Sequence, residues 1–201
     1  MKILFFSDIH GDLKALDRLM AIDADLYVAA GDVSNFARGL ENIGPKLAVK
    51  GESMLVMPGN HESDRDIERF CERYGLRSFH NTAIDVAGGA YRMAGLGYSN
   101  ITPFETPGEY TEAQIAERLE PWKNSDKPLI LVCHCPPKDT ALDASGPGKH
   151  FGSSAIRSFL DEQQPEYFFC GHIHEAAGVE TRLGRTYGRN LGKAGYILEI
   201  A

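Results

Sequence analysis

Long apolar runs are missing from this chain: nothing in it approaches the roughly 18 uninterrupted apolar residues of a membrane-spanning helix. Met1 to Phe6 is short and runs straight into Asp8 and His10, unlike a secretory leader with its longer apolar region and small-residue cleavage site. Cysteine is scarce as well. Cys71, Cys133, Cys135 and Cys170 among 201 residues lack the density of a disulfide scaffold. These absences set the expectation of a cytoplasmic protein. Basic charge is the third shortage: 21 Lys and Arg stand against 28 Asp and Glu, a formal charge of −7. A face that tracks phosphate backbones needs a basic stripe, so extended nucleic-acid binding is disfavoured, although bound cations can lend a site the charge that a chain lacks. There is also no internal repeat, low-complexity tract or linker.

What is present is ordinary globular composition, with 43% apolar and 24% charged residues. The length is enough for one well-buried core, and a single domain over residues 1–201 is expected. The first half alternates strand and helix. Lys2 to Phe6, Asp25 to Ala30 and Ser53 to Met57 read as strands, and Leu13, Leu16, Leu19 and Met20 recur at helical spacing. Asp64 to Tyr74 reads as a helix stopped by Gly75. Around Gly88-Gly89, the segments 84–87 and 90–96 form a β-hairpin pattern. Glu112 to Trp122 reads as a helix with Thr111 as a cap, and Ser153 or Ser154 starts another that reaches about Glu162. Leu129 to Cys133 and Tyr167 to Cys170 are strands, and residues 179–200 are short strands between glycine turns. Alternating β and α segments with embedded hairpins predict a layered α/β fold, with two sheets and helices outside.

Apolar runs repeatedly end in side chains that can bind metal. They end at Asp8-Ile9-His10, Gly31-Asp32, Gly59-Asn60-His61, His134 and Gly171-His172-Ile173-His174. In α/β sheets ligands gather outside the carboxyl ends of strands, so these side chains are expected to meet at one rim. Carboxylate and imidazole donors suit first-row ions, manganese foremost, with iron, zinc or nickel as alternatives. Asn60 adds a neutral amide oxygen, which keeps the centre positive enough to attract phosphate. Asp-X-His and His-X-His put two donors on one side of an extended backbone.

The ordered set Asp-X-His, Gly-Asp, Gly-Asn-His, His and Gly-His-X-His resembles the calcineurin-like metallophosphoesterase superfamily. The motifs run from Asp8 to His174 and so cover most of the chain. The resemblance implies an α/β/β/α sandwich of two mixed sheets flanked by helices, and a centre of two divalent metal ions. It also implies that Asp8, His10 and His174 hold one ion, that Asn60, His134 and His172 hold the other, and that Asp32 bridges them. A hydroxide between the ions would attack phosphorus, and His61 would assist the leaving group. In many members another acidic residue follows three positions after the Gly-Asp aspartate and orients that histidine. Here the position is Asn35, which can hydrogen-bond an imidazole but cannot stabilise its charge as a carboxylate does.

Blander roles fit the remaining residues. Cys133 and Cys135 flank His134 and, by strand alternation, turn away from its face into packing. Lys138, Lys149 and His150 read as solvated, His80 as structural, and Arg92 and Arg182 as solvent-facing. Tyr98 and Phe104 read as pocket-lining or packing residues. The leading expectation is hydrolysis of a phosphomonoester or phosphodiester on a small molecule. A nuclease is the enzyme-class rival, and a non-catalytic metal-binding scaffold is the rival from another class.

Overall fold

The computed structural model describes residues 1–201. Its first sheet joins β1 (Lys2–Phe6), β2 (Leu26–Ala30), β3 (Met54–Met57) and the short β4 (Arg77–Ser78), all parallel, with the antiparallel β13 (Tyr196–Glu199) beside β1. The second sheet has the order β11-β12-β10-β9-β6-β5. Here β9 (Leu129–Cys133) lies parallel to β6 (Tyr91–Leu96) and to β10 (Tyr167–Cys170), and β10 is parallel to β12 (Thr186–Asn190). The antiparallel edges are β5 (Thr82–Val86) and β11 (Glu180–Leu183). A two-stranded ribbon, β7 (Ser99–Asn100) with β8 (Glu109–Tyr110), stands apart from both.

Side-chain alternation along the strands builds the layers. In β1, Leu4 and Phe6 join an apolar cluster with α1 (Leu13–Met20), α2 (Leu40–Ala48) and α3 (Asp64–Tyr74), while Ile3 and Phe5 face the other sheet. In β9, Ile130 and Val132 meet Phe5 and Phe169 between the sheets, and Leu131 and Cys133 pack under α4 (Glu112–Leu119) and α5 (Ser154–Gln163). Strands buried on both faces read as continuous apolar runs, which is why β9 and β10 are visible in the sequence from end to end. Three clusters between four layers make the α/β/β/α sandwich of two mixed sheets.

The helices begin where local chemistry says they should. Ser63 caps α3, and its hydroxyl and Asp66 form a reciprocal capping box. Thr111 with Gln114 does the same for α4, and Ser153 caps α5 by accepting from the Ile156 amide. No helix is long and apolar enough to cross a membrane.

Candidate metal centre

The carboxyl ends of β1, β2 and β3 in one sheet, and of β9 and β10 in the other, open onto a single cluster of donor atoms. Around its first half, His10 Nε2 lies 3.0 Å from His174 Nε2, and His174 Nε2 lies 3.5 Å from Asp8 Oδ1. Around the second half, Asn60 Oδ1 lies 3.2 Å from His134 Nε2 and 2.9 Å from His172 Nδ1. Asp32 Oδ2 stands between them, 3.7 Å from His10 Nε2 and 3.4 Å from His134 Nε2. The structure thus brings together Asp8, His10, Asp32, Asn60, His134, His172 and His174 in one cluster.

The backbone reaches this arrangement by a route different from simple strand alternation. Asp8 and His10 are not extended: their φ angles are 55° and 50°, and those of Asp32 and His172 are 52° and 69°. Left-handed backbone at non-glycine residues is uncommon and costs about 1–2 kcal/mol each, and it recurs where surrounding structure dictates function. The turn at His10 is held by its amide donating to the Asp32 carbonyl.

Glycine at positions 31 and 59 has a steric cause. A Cβ on Gly31, whose φ is 96°, would lie 2.4 Å from His134 Nδ1 and 2.7 Å from Gly59 Cα. A Cβ on Gly59 would lie 2.0 Å from Asp32 Oδ1. The two loops touch backbone to backbone, and any side chain would push Asp32 and Asn60 apart. Gly31→Ala is therefore expected to lose about 3 kcal/mol, from overpacking and left-handed strain together. A denaturant midpoint equal to the wild type's would refute the contact argument.

Partners outside the cluster fix which ring nitrogens face it. His134 Nδ1 donates to the Ala30 carbonyl at 2.9 Å, leaving Nε2 inward. His10 Nδ1 donates to Asn35 Oδ1 at 2.8 Å, and Asn35 Nδ2 returns a bond to the His10 carbonyl. Asn60 Nδ2 donates to Thr106 Oγ1, which turns its oxygen toward His134 and His172. Asn35 thus orients His10, not His61. His61 is positioned by its amide donating to Asp32 Oδ1 and by the Phe36 ring, 4.6 Å away edge to face. The Nδ1 of His61 is buried without a partner.

The buried carboxylates and imidazoles of the cluster set one another's charge. Burial pulls His134 down, but Asp32 and Asp8 outweigh it and raise the imidazole to about 9. Burial and the neighbouring His134 push His172 down to about 4. Asp32 is pushed up by burial yet ends well below the usual carboxylate range, held there chiefly by His134. In the metal-free protein a proton on His134 therefore lies where a cation's charge would lie, and metal uptake must displace it. The donor set fits such a cation pair: two carboxylates, one amide oxygen and four imidazoles converge there, and each ring can offer a nitrogen once it is free of its proton.

One buried group escapes sequence reading. Glu62 is fully enclosed; its Oε1 accepts from the Ser34 amide and hydroxyl, and its Oε2 from the Asp32 and Gly59 amides. It braces the loop of Asp32 against the loop of Asn60. An acidic residue one position before a helix cap looks like surface in a sequence, and nothing local marks it as buried. The blander readings hold for Cys133 and Cys135, which are buried in the outer cluster, and for His80, which accepts from the Gly97 amide while burial lowers its pKa to about 4; they fail for Phe104, which packs against little, and for His150, which is paired with the buried Asp143. Arg182 is exposed, and so is Phe104.

The family sequence pattern described as calcineurin-like phosphoesterase matches residues 1–176. The chain belongs to that family. The uncharacterized protein MJ1162 of Methanocaldococcus jannaschii is 34% identical over 197 residues, covering 92% of this chain and 85% of the relative. Solved structures share the phosphoesterase fold at much lower identity. TT1561 of Thermus thermophilus superposes with a TM-score of 0.74 at 20% identity, over 96% of this chain and 90% of that one. Phosphopantetheinyl hydrolase from Mycobacterium tuberculosis gives 0.69 at 14% identity, over 95% and 88% respectively. The protein is a metal-dependent phosphoesterase by family.

Proposed function

We propose that this phosphoesterase hydrolyses small-molecule phosphate esters at a pair of divalent ions, manganese foremost, held by Asp8, His10 and His174 on one side and Asn60, His134 and His172 on the other. The observation that carries this reading is the position of Asp32 Oδ2, within 3.7 Å of His10 Nε2 and 3.4 Å of His134 Nε2, one from each group. The ions, when bound, polarise the phosphoryl oxygens and lower the pKa of water beside them. The chain's own residues do the rest. Asp32 spans the two groups, and its second oxygen, Oδ1, holds the His61 amide. That bond holds the His61 backbone, and the ring stands at the edge of the cluster, 5.0 Å from the His10 ring between centroids. From there a ring nitrogen of His61 delivers a proton to the departing ester oxygen. Phe36 excludes water from one flank of the imidazole and limits its rotation.

Metal-stripped protein is expected to be inactive and to regain turnover of a chromogenic phosphodiester or phosphomonoester on addition of Mn²⁺, with Zn²⁺, Fe²⁺ and Ni²⁺ compared alongside. His61→Ala is expected to keep its metals and lose about 10²–10⁴-fold in kcat, the usual worth of a positioned proton donor. Full activity in that variant would remove His61 from the chemistry. Folded protein that binds two ions per chain and turns over neither ester class would instead favour a scaffold role.

A further inference from the structure

Most large apolar side chains are inside this molecule, and those left in solvent are unevenly placed. Met1, Val49 and Ile197 are scattered, whereas Phe36, Ile101, Phe104 and Phe151 are 49%, 60%, 79% and 53% exposed on the segments around the donor cluster. Phe36 lies against His61 itself. Ile101 and Phe104 belong to the loop between β7 and β8, whose Thr106 receives the bond from Asn60 and whose Gly108 amide donates to the Asn60 carbonyl. Ile101 and Phe151 each adjoin one hydrogen bond, from Asn100 Nδ2 to the Gly152 carbonyl, which ties their two segments together. Asn100 Oδ1 also accepts from Cys135, the residue after His134.

These side chains are presented on braced backbone. Glu109 gathers the Thr102 hydroxyl and the Thr106 amide and hydroxyl, which closes the β7–β8 loop on itself. The fully buried Asp143 accepts from the Asp139, Thr140 and Gly152 amides and pairs with His150, which fixes the loop that carries Phe151. Apolar groups held in water on rigid supports that are bonded to the segments of a polar centre are the pattern of a binding site in which few polar atoms orient the ligand and apolar walls hold it. Preorganised walls lose little entropy on binding.

We infer that this apolar crescent holds the organic substituent of the substrate, so that the ester cleaved here carries an apolar, ring-sized group beside its phosphorus. This deepens the phosphoesterase reading and rests on it. The occupant is the substrate because the crescent begins at His61 and continues on the β7–β8 ribbon, which is bonded to both Asn60 and Cys135, and on the Phe151 loop bonded to that ribbon, not at a separate face.

The test compares two diesters with one leaving group, methyl 4-nitrophenyl phosphate and benzyl 4-nitrophenyl phosphate, on the Mn²⁺-loaded protein. The benzyl ester is expected to be favoured by about tenfold or more in kcat/KM, mainly through KM, the discrimination that added apolar contact commonly gives. In the combined Phe36→Ser, Phe104→Ser, Phe151→Ser variant the preference is expected to vanish, while Val49→Ser and Ile197→Ser keep it. Turnover of both esters at equal efficiency would overturn the inference and leave the phosphoesterase reading standing. Equal turnover together with crescent-dependent sedimentation on phosphatidylcholine vesicles would assign the crescent to a lipid surface instead. If neither diester is cleaved, calorimetry with methyl phosphate and benzyl phosphate decides the matter: equal affinities sink the inference, and tighter benzyl binding that needs the crescent supports it.

Discussion

Asp32→Ala is expected to lower kcat/KM by about 10³-fold or more, since a two-ion centre supplies several kcal/mol of transition-state stabilisation and each 1.36 kcal/mol is tenfold. The bound metal, measured by elemental analysis, should fall from about two ions per chain to one or fewer. The reason is geometric: Oδ2 is the carboxylate oxygen that faces both donor groups, and Oδ1 also holds His61. One truncation therefore removes the link between the groups and loosens His61. A variant that retains two ions and near-normal turnover would refute the bridging role. The same substitution has a signature without metal. His134 is raised to about 9 from its ordinary 6.5, with Asp32 the largest cause in that direction. A raised histidine contributes stability that is fully present below its unfolded pKa and is lost as pH rises through the folded one. Metal-free wild type should then lose stability between pH 6.5 and about 9, and metal-free Asp32→Ala should be nearly flat there.

Glu62 gives the second large effect, this time on the fold of the site. Its carboxylate takes four hydrogen bonds from Ser34, Asp32 and Gly59 with no solvent contact. Burial raises its pKa to about 7, the charge of Asp32 adds to this, and the bonds from Ser34 and Gly59 oppose it. Divalent ions beside Asp32 would offset the second of these. Glu62→Gln replaces one acceptor oxygen by an NH₂ that must face at least one backbone N–H whichever way the amide turns, that of Ser34 on one side or those of Asp32 and Gly59 on the other. That conflict is expected to cost about 2–4 kcal/mol, and Glu62→Ala somewhat more because every donor is then orphaned. Both variants should also bind metal more weakly, since Glu62 holds together the loops that carry Asp32 and Asn60. Unfolding midpoints and metal content equal to the wild type's in Glu62→Gln would show the brace to be dispensable.

How much of this was readable beforehand follows from the range of the interactions involved. Helix α3 matches its sequence limits, Asp64 and Tyr74, because Ser63 and Gly75 mark its ends by local hydrogen bonding. Strands β9 and β10 are equally legible because both of their faces are buried. Helix α2 left no comparable trace: Gly44 and Pro45 interrupt its pattern, and its amphipathic face is recognised only against Tyr74 and the rest of the first cluster. The donor residues could be named from spacing, since strand ends converge in this class of sheet. Their left-handed backbone could not, nor could the pairing of Asn35 with His10 across 25 positions. The Glu62 brace joins loops about 30 residues apart and is likewise invisible until the chain is folded.

The cysteines give the protein a built-in stopwatch. Cys71 lies in the cluster beneath α1, α2 and α3, whereas Cys133, Cys135 and Cys170 lie in the one beneath α4 and α5. All are enclosed, and burial pushes the Cys71 and Cys135 thiols up to about 12 and the other two well above their ordinary range. A thiol so placed meets a water-soluble alkylating reagent only when its layer opens. Pulsed alkylation followed by peptide mass analysis would therefore time the opening of each flank of the sandwich separately, with no engineered probe, and would register whether loading the centre between them slows both clocks together.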